Sequence, residues 1–181
     1  GSVWTWGINN YGQLGDGTYI NRAYPVQVTL SIDEETGVRD YISDIKRIAA
    51  GERFVLALRN DGLLYAWGDN TSGQLGVEIN NETTEDGTAI EDSRALPIEV
   101  NSTDGVDFSE ITDIAAGKNH TVIVLNNDTV YTWGDNEFGQ LGTGENGSYI
   151  PSQVKGFNGG GYLTDIISVK AGSYHTVALK R

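Results

Sequence analysis

The chain has two histidines, His120 and His175, and neither cysteine nor methionine. Imidazole suits proton transfer near neutral pH, and a pair of imidazoles could share a metal ion. His120 and His175 lie at one register of two related stretches, "IAAGKNHTVIVL" (114–125) and "VKAGSYHTVALK" (169–180); in a third, "IAAGERFVLAL" (48–58), Phe54 takes that place. A catalytic base needs a singular position and fixed partners. A residue that recurs with a repeat and is replaceable by Phe reads as packing, with one ring nitrogen bonding a neighbouring strand. Equivalent positions on neighbouring sheets lie too far apart to share an ion. Without cysteine there is no disulfide, thiolate zinc site or thiol nucleophile. The segments "GQLG" at 12–15, 73–76 and 139–142 could cradle phosphate only ahead of a helix, and no helical periodicity follows them. Two acidic stretches could hold calcium or face a basic partner: 77–95 with Glu78, Glu82, Glu85, Asp86, Glu91 and Asp92, and 31–43 with Asp33, Glu34, Glu35 and Asp40. Neither has the ligand spacing of an EF-hand, so both are expected to be solvated, mobile insertions. A glycosylation sequon at Asn81 matters only in a eukaryotic secretory pathway. No catalytic, cofactor-binding or metal-binding residue is assigned.

The elements that carry these residues repeat. The frame W-G-x-N-x-x-G-Q-L-G begins at Trp6, Trp67 and Trp133, 61 and 66 residues apart. The A-G motif alternates with it at Gly51, Gly117 and Gly172, and Pro-x-x-Val recurs at 25–28, 97–100 and 151–154. Such periodicity marks a repeat architecture. Each unit reads as four short strands, the alternating run before A-G, the β-branched run after it, the Trp strand and an edge strand that starts at Pro, with Asp61-Gly62 as a hairpin signal. Four antiparallel strands per repeat make one blade of a β-propeller. The expected fold is all-β, with repeat units at about 3–58, 64–125 and 130–180 of a single region 1–181, giving two whole blades (near 42–100 and 111–154) and a half-blade at each end. Trp6, Trp67 and Trp133 are expected to fill the wedges between blades. The two Gly of each G-Q-L-G segment should supply positive φ or close approach, and its Leu should plug the crossing. Gln13, Gln74 and Gln140 are expected to satisfy loop carbonyls, and Asn9, Asn70 and Asn136 to form local side-chain-to-backbone turns.

Lys and Arg total 12 against 25 Asp and Glu, a formal net charge of -13. That balance repels phosphate backbones and anionic membrane surfaces, so neither nucleic acid nor membrane is expected as a partner. No apolar run reaches the 18 residues of a membrane span. Lacking Met, the chain reads as a piece of a longer or processed protein, and its Asn/Thr/Gly-rich acidic composition suits a bacterial extracellular or cell-surface protein better than a cytoplasmic one.

The alternation of W-G-x-N-x-x-G-Q-L-G with A-G-x-x-H-T-x-x-L, from Val3 to Lys180, resembles the regulator of chromosome condensation repeat family. The resemblance implies a β-propeller, typically of seven blades. The founding member exchanges nucleotide on the GTPase Ran and docks on nucleosomes, partly through basic segments absent here. The family's plant ultraviolet-B photoreceptors place Trp directly after the Gly of the A-G motif, where this chain has Glu52, Lys118 and Ser173, so photoreception is not implied. Some bacterial members inhibit β-lactamases through one propeller face. The expected function is a non-catalytic protein-interaction scaffold, with a regulator of an enzyme or a structural module of a secreted protein as alternatives. Its partner would meet the loops carrying Tyr11, Arg53, Lys118, Asn119, Phe138 and Tyr174. Three repeats cannot close a ring alone, so either two chains exchange half-blades into a six-bladed homodimer or the chain is a fragment cut from a longer propeller.

Overall fold

The computed structural model describes residues 1–80, 92–101 and 106–181. Among them run the strands β1 (Trp4–Gly7), β2 (Arg22–Gln27), β3 (Thr29–Ile32), β4 (Arg39–Tyr41), β5 (Ile45–Ala50), β6 (Phe54–Arg59), β7 (Leu64–Asp69), β8 (Ser93–Glu99), β9 (Ile111–Ala116), β10 (His120–Leu125), β11 (Val130–Gly134), β12 (Ser148–Gln153), β13 (Ile166–Ala171) and β14 (Thr176–Lys180). Two antiparallel four-stranded sheets, β5-β6-β7-β8 and β9-β10-β11-β12, are whole blades. The pairs β1-β2 and β13-β14 are half-blades, the first made of the two outer strands and the second of the two inner ones. Strands β5, β9 and β13 neighbour one another, so they are the inner strands of successive blades. Among the described residues, helix is confined to single 3-10 turns at Phe108–Glu110 and Phe157–Gly159. The architecture is that of a β-propeller with the expected blade boundaries.

The blades are sheets because their strands are β-branched and aromatic on both faces, and each face meets another blade. Strand β10 (His-Thr-Val-Ile-Val-Leu) and strand β7 (Leu-Tyr-Ala-Trp-Gly-Asp) are buried throughout. Phe54, Leu56, Leu64, Leu75, Phe108, Ile114, Ile123 and Trp133 form the core between the two whole blades. Smaller cores join each whole blade to its neighbouring half-blade: Val3, Val28, Ile42, Tyr65 and Trp67 on one side, Val122, Val124, Val130, Ile166 and Val169 on the other. Buried Asp113 ties three blades together, accepting from Ser168 Oγ (2.8 Å) and Val169 N (3.1 Å) on β13 and facing Arg47 Nη1 (3.4 Å) on β5.

The Trp-Gly frame works as a joint between blades. Trp67 and Trp133 are fully buried, and each indole N–H donates to the backbone carbonyl of the preceding repeat's Gln: Trp67 to Gln13 (2.9 Å), Trp133 to Gln74 (3.1 Å). The two glycines of G-Q-L-G serve different contacts. A Cβ on Gly12 or Gly73 would lie 2.6 or 2.7 Å from the next blade's edge strand, at Ala95 and Tyr149 respectively. A Cβ on Gly15 or Gly76 would strike the indole itself, at 2.7 and 2.9 Å. All four also have φ between +65° and +76°. Leu14, Leu75 and Leu141 are buried at the crossing, as expected.

Four expectations are corrected. Trp6 does not fill a wedge: it is 63% exposed, because no inner strands or preceding cradle flank β1. The Gln side chains accept rather than donate toward loop carbonyls, taking the backbone N–H of Tyr11, Ser72 and Phe138 into Oε1; the crossing loop has stranded donors, and its carbonyls are used by the indoles. The 31–43 stretch is a hairpin of β3 and β4, closed by Asp33 Oδ1 accepting from Glu35 N and Thr36 N. The Pro residues sit inside the edge strands rather than at their starts, with Pro25, Pro97 and Pro151 each preceded by about a turn's length of paired strand. Most of the 77–95 stretch, with Asn81, Glu82, Glu85, Asp86 and Glu91, lies outside the described residues. Of its described acids, Asp92 is buried, accepting from Asn70 Nδ2 (2.7 Å) and Asn80 N (2.8 Å) and pairing with Arg94.

Truncating a joint should cost far more than truncating a surface aromatic. Trp133→Ala is expected to lower the unfolding free energy by about 3–5 kcal/mol. Gly73→Ala should also destabilise the chain, since it meets both a strained φ and the backbone of Tyr149. Urea unfolding followed by far-ultraviolet circular dichroism checks both.

Candidate functional site

Strand register decides which loops share a face. In each whole blade the start of the second strand pairs with the end of the Trp strand, as Phe54 with Gly68 and His120 with Gly134. The A-G turn before the second strand and the G-Q-L-G crossing after the Trp strand therefore emerge at one end of the sheet. All six residues picked out from the sequence lie on this face.

The structure joins five of them into two groups. Arg53 Nη1 donates to Tyr11 Oη at 2.7 Å, and its guanidinium lies 4.4 Å from the centre of the Tyr11 ring. Lys118 Nζ donates to Tyr174 Oη at 3.0 Å and pairs with Glu52 at 3.3 Å. Those two contacts, Tyr174 first, hold the Lys118 ammonium above its ordinary pKa. Phe138 meets Tyr174 edge-on, ring centres 5.1 Å apart. In both groups a residue of a G-Q-L-G crossing reaches the A-G turn of the next blade. Asn119 is apart: half-buried, it receives Asp135 N on its carbonyl (2.9 Å), while its Oδ1 is buried without a partner. Cationic, phenolic and apolar groups thus alternate along an exposed arc; Phe138 and Tyr174 are 63% and 45% exposed. Each cation already has a hydrogen-bonding phenol, so the arc is pre-ordered at small entropic cost to a partner. Among the described residues no three His, Cys, Asp or Glu side chains converge to hold a metal.

The inner rim of this face is built by the A-G turns. Glu52 N donates to Lys118 O (3.3 Å) and Lys118 N to Ser173 O (3.2 Å), stepping from blade to blade. The A-G-x-x-H/F spacing follows from contact. A Cβ on Gly51, Gly117 or Gly172 would lie about 2 Å from the ring three residues on, at 2.1 Å from Phe54, 2.0 Å from His120 and 2.2 Å from His175.

His120 is fully buried and its Nε2 lies 3.1 Å from Thr176 Oγ1. Thr176 donates its only hydroxyl proton to Gln140 O (2.7 Å), so it accepts from His120, which fixes the Nε2–H tautomer. Nδ1 is left buried without a partner. Protonation would put a donor there with nothing to receive it, and burial pushes the His120 pKa down to about 4, with Asp135 pulling it up and His175 pushing it down. The imidazole is a neutral packing element with one bond across the blade junction. The Thr after it was not singled out from the sequence, although the recurrent His-Thr pair carried the signal: Thr121 and Thr176 both donate to the Gln carbonyl of the preceding repeat (Gln74 and Gln140).

Three stretches, residues 1–58, 61–124 and 127–179, match the model of the regulator of chromosome condensation (RCC1) repeat, and a second model of that repeat matches 45–74 and 111–140. The chain is 31% identical over 178 residues to E3 ubiquitin-protein ligase HERC2 of Homo sapiens, covering 98% of this chain and 3% of that protein. It is 31% identical over 145 residues to Ultraviolet-B receptor UVR8 of Arabidopsis thaliana, covering 80% and 28%. The solved structure of Prp20p from Saccharomyces cerevisiae superposes with a TM-score of 0.70 at 26% identity, covering 98% of this chain and 39% of that one. The chain thus spans less than two thirds of the length of each of these proteins.

The buried neutral imidazole predicts an acid-side loss of stability. Between its folded value near 4 and an unfolded value near 6.5 the unfolded chain binds the extra proton, so stability falls as pH drops through that window and is flat just above it. Asp33 and Asp107, held below their ordinary values by backbone amides of Thr36 and Ser109, respond only at lower pH. His120→Phe, which copies Phe54, should flatten the dependence between pH 4.5 and 6.5 in thermal melts, about the range set by the two values.

Proposed function

The chain belongs to the regulator of chromosome condensation (RCC1) repeat family, and on that premise we propose that it is a protein-interaction scaffold with no reaction centre of its own. The observation that carries this is the loop arc, where exposed Arg53, Phe138 and Tyr174 and half-buried Tyr11 and Lys118 brace one another at blade junctions. Aromatic and Arg groups held rigid at a surface are the usual anchors of protein recognition. The arc fits a protein segment that offers an apolar side chain to Phe138 and Tyr174 beside carbonyl or carboxylate acceptors for Arg53 and Lys118. The same use of such repeats is seen in Prp20p, whose structure was described with its binding properties to Gsp1p and histones. Ligase activity in HERC2 is a property of a protein of which this chain spans 3%, and does not argue for chemistry here. A ring completed by self-association of half-blades would carry the arc around a full circle.

The test is a partner captured with the intact chain and then titrated against purified variants. Phe138→Ala with Tyr174→Ala should weaken binding by about 2 kcal/mol or more, with the melting temperature little changed. Lys46→Ala, exposed at the start of β5 and hence at the far end of the blade, should bind like the parent. Equal affinity of parent and double variant would end the assignment of this face.

A further inference from the structure

Two arginines meet on one aspartate beside the outer strand β2. Arg22 stands opposite Gly7 on β1, as Arg94 stands opposite Gly68 on β7. Each pairs with an aspartate that also takes an asparagine amide: Arg22 with Asp16 and Asn9, Arg94 with Asp92 and Asn70. That trio belongs to the repeat, and Arg39 does not. Arg39 comes from the β3-β4 hairpin, and among the described residues no other blade connection folds into a two-stranded sheet. Its Nη1 donates to the Asp16 carbonyl (2.6 Å) and to Thr29 Oγ1 (3.1 Å).

The Asp16 carboxylate has no capacity left for Arg39. Its Oδ1 accepts from Thr18 N (3.0 Å), Thr18 Oγ1 (2.7 Å) and Asn9 Nδ2 (3.3 Å), and its Oδ2 from Arg22 Nε (2.7 Å). Burial pushes the Asp16 pKa up, but the hydrogen bonds of Thr18 and Arg22 outweigh it and hold the group below its ordinary value. Arg39 therefore reaches only a main-chain oxygen of Asp16, and among the described residues its Nε and Nη2 have no hydrogen-bond partner. Both guanidiniums border an open cavity of about 330 Å³, together with Gln27, Thr29 and the exposed ring of Tyr41. The charged walls are Arg22, Arg39 and Asp16, two cations against one anion, in a chain whose net charge is -13.

We infer that this cavity is a binding site for a small oxyanion ligand, a carboxylate or phosphate on a flat apolar body. Nε and Nη2 form one edge of the Arg39 fork, and that edge matches two oxygens of either head group. With Nη1 pinned to Asp16 and Thr29, the fork is set before a ligand arrives, which lowers the entropic cost of binding. Gln27 and Tyr41 add an amide and a phenol to the walls, and the Tyr41 ring offers a face to the ligand's body. The volume falls at the small end of ligand pockets, which run from about 300 to 1,000 Å³. The negative charge of the whole chain draws no anion from a distance, so occupancy has to come from this local geometry. The site shares no residue with the loop arc and does not rest on that reading.

The experiment follows the Arg22 and Arg39 Nε–H and Gln27 side-chain amide resonances of the isotopically labelled full chain by NMR. Phenyl phosphate, benzoate and inorganic phosphate are titrated in turn, with sodium chloride at matched ionic strength as the reference. The Arg39 resonance should shift and saturate with phenyl phosphate or benzoate, and the tighter of the two identifies the head group. Inorganic phosphate should bind more weakly, for want of the contact with Tyr41. Arg39→Lys keeps the charge and loses the fork, and should weaken binding about tenfold or more. Gln27→Glu sets a carboxylate on the cavity wall without touching the Asp16 brace, and should abolish binding with the melting temperature unchanged; it keeps the test valid even where Arg39→Lys loosens the hairpin. Shifts that grow without saturating and equally in chloride, or saturable binding that both variants leave intact, would overturn the site.

Discussion

One donor and one acceptor hold this architecture together: the indole N–H of a blade's tryptophan and the backbone carbonyl of a glutamine in the repeat before it. The bond at Trp67 and Trp133 is modest in energy, on the order of 1 kcal/mol. Its importance is positional. It fixes the largest side chain of each blade in the wedge, where burial of the ring contributes more than the bond itself. Most of the neighbouring chemistry exists to permit that contact. One glycine yields to the ring, another yields to the following edge strand, a leucine fills the crossing, and an asparagine ties the loop by accepting from the leucine N–H, at 2.8 Å in the first repeat, 3.1 Å in the second and 2.8 Å in the third.

The blades were legible in the sequence because their spacing encodes a nearest-neighbour contact that repeats. Gly51 announces a strand end and β5 stops at Ala50, while Trp67 and Pro97 mark the β7 and β8 strands that contain them. The turns at Asn9, Asn70 and Asn136 were legible for the same reason, since the side chain bonds within its own loop. Trp6 was not, because burial belongs to a pair of blades and a motif shows only one of them. The glutamines misled because their type suggests a side-chain role, while the atom that matters is the main-chain oxygen, which any residue would carry. The β3-β4 hairpin was hidden by its acidic composition. Ser31 and Asp40 on its exposed face look like loop residues, and only the pairing of Thr29 with Tyr41 and Ile32 with Arg39 shows the sheet.

The candidate face was legible in a different way. Tyr11, Arg53, Lys118, Phe138 and Tyr174 occupy positions that differ between repeats, and residues unconstrained by the joint are free to vary. Sequence placed them on one side of the molecule through the order of turns. It did not reveal that they couple across blades, since Arg53 and Tyr11 are 42 residues apart and Lys118 and Tyr174 are 56 apart. The two histidines show the same contrast. Their packing role followed from the register shared with Phe54, while the tautomer of His120 came only from the single proton of the Thr176 hydroxyl.

Asp113 has a consequence of another kind. One carboxylate, sunk in the sheet, reaches the inner strands on both its sides. It acts as a keystone, because the arch it locks spans three sheets while each tryptophan spans two. A shear between the first whole blade and the last inner pair therefore loads this one side chain together with the apolar seams on either side of it. Loss of its charge would remove that tie while leaving Trp67 and Trp133 seated in their wedges.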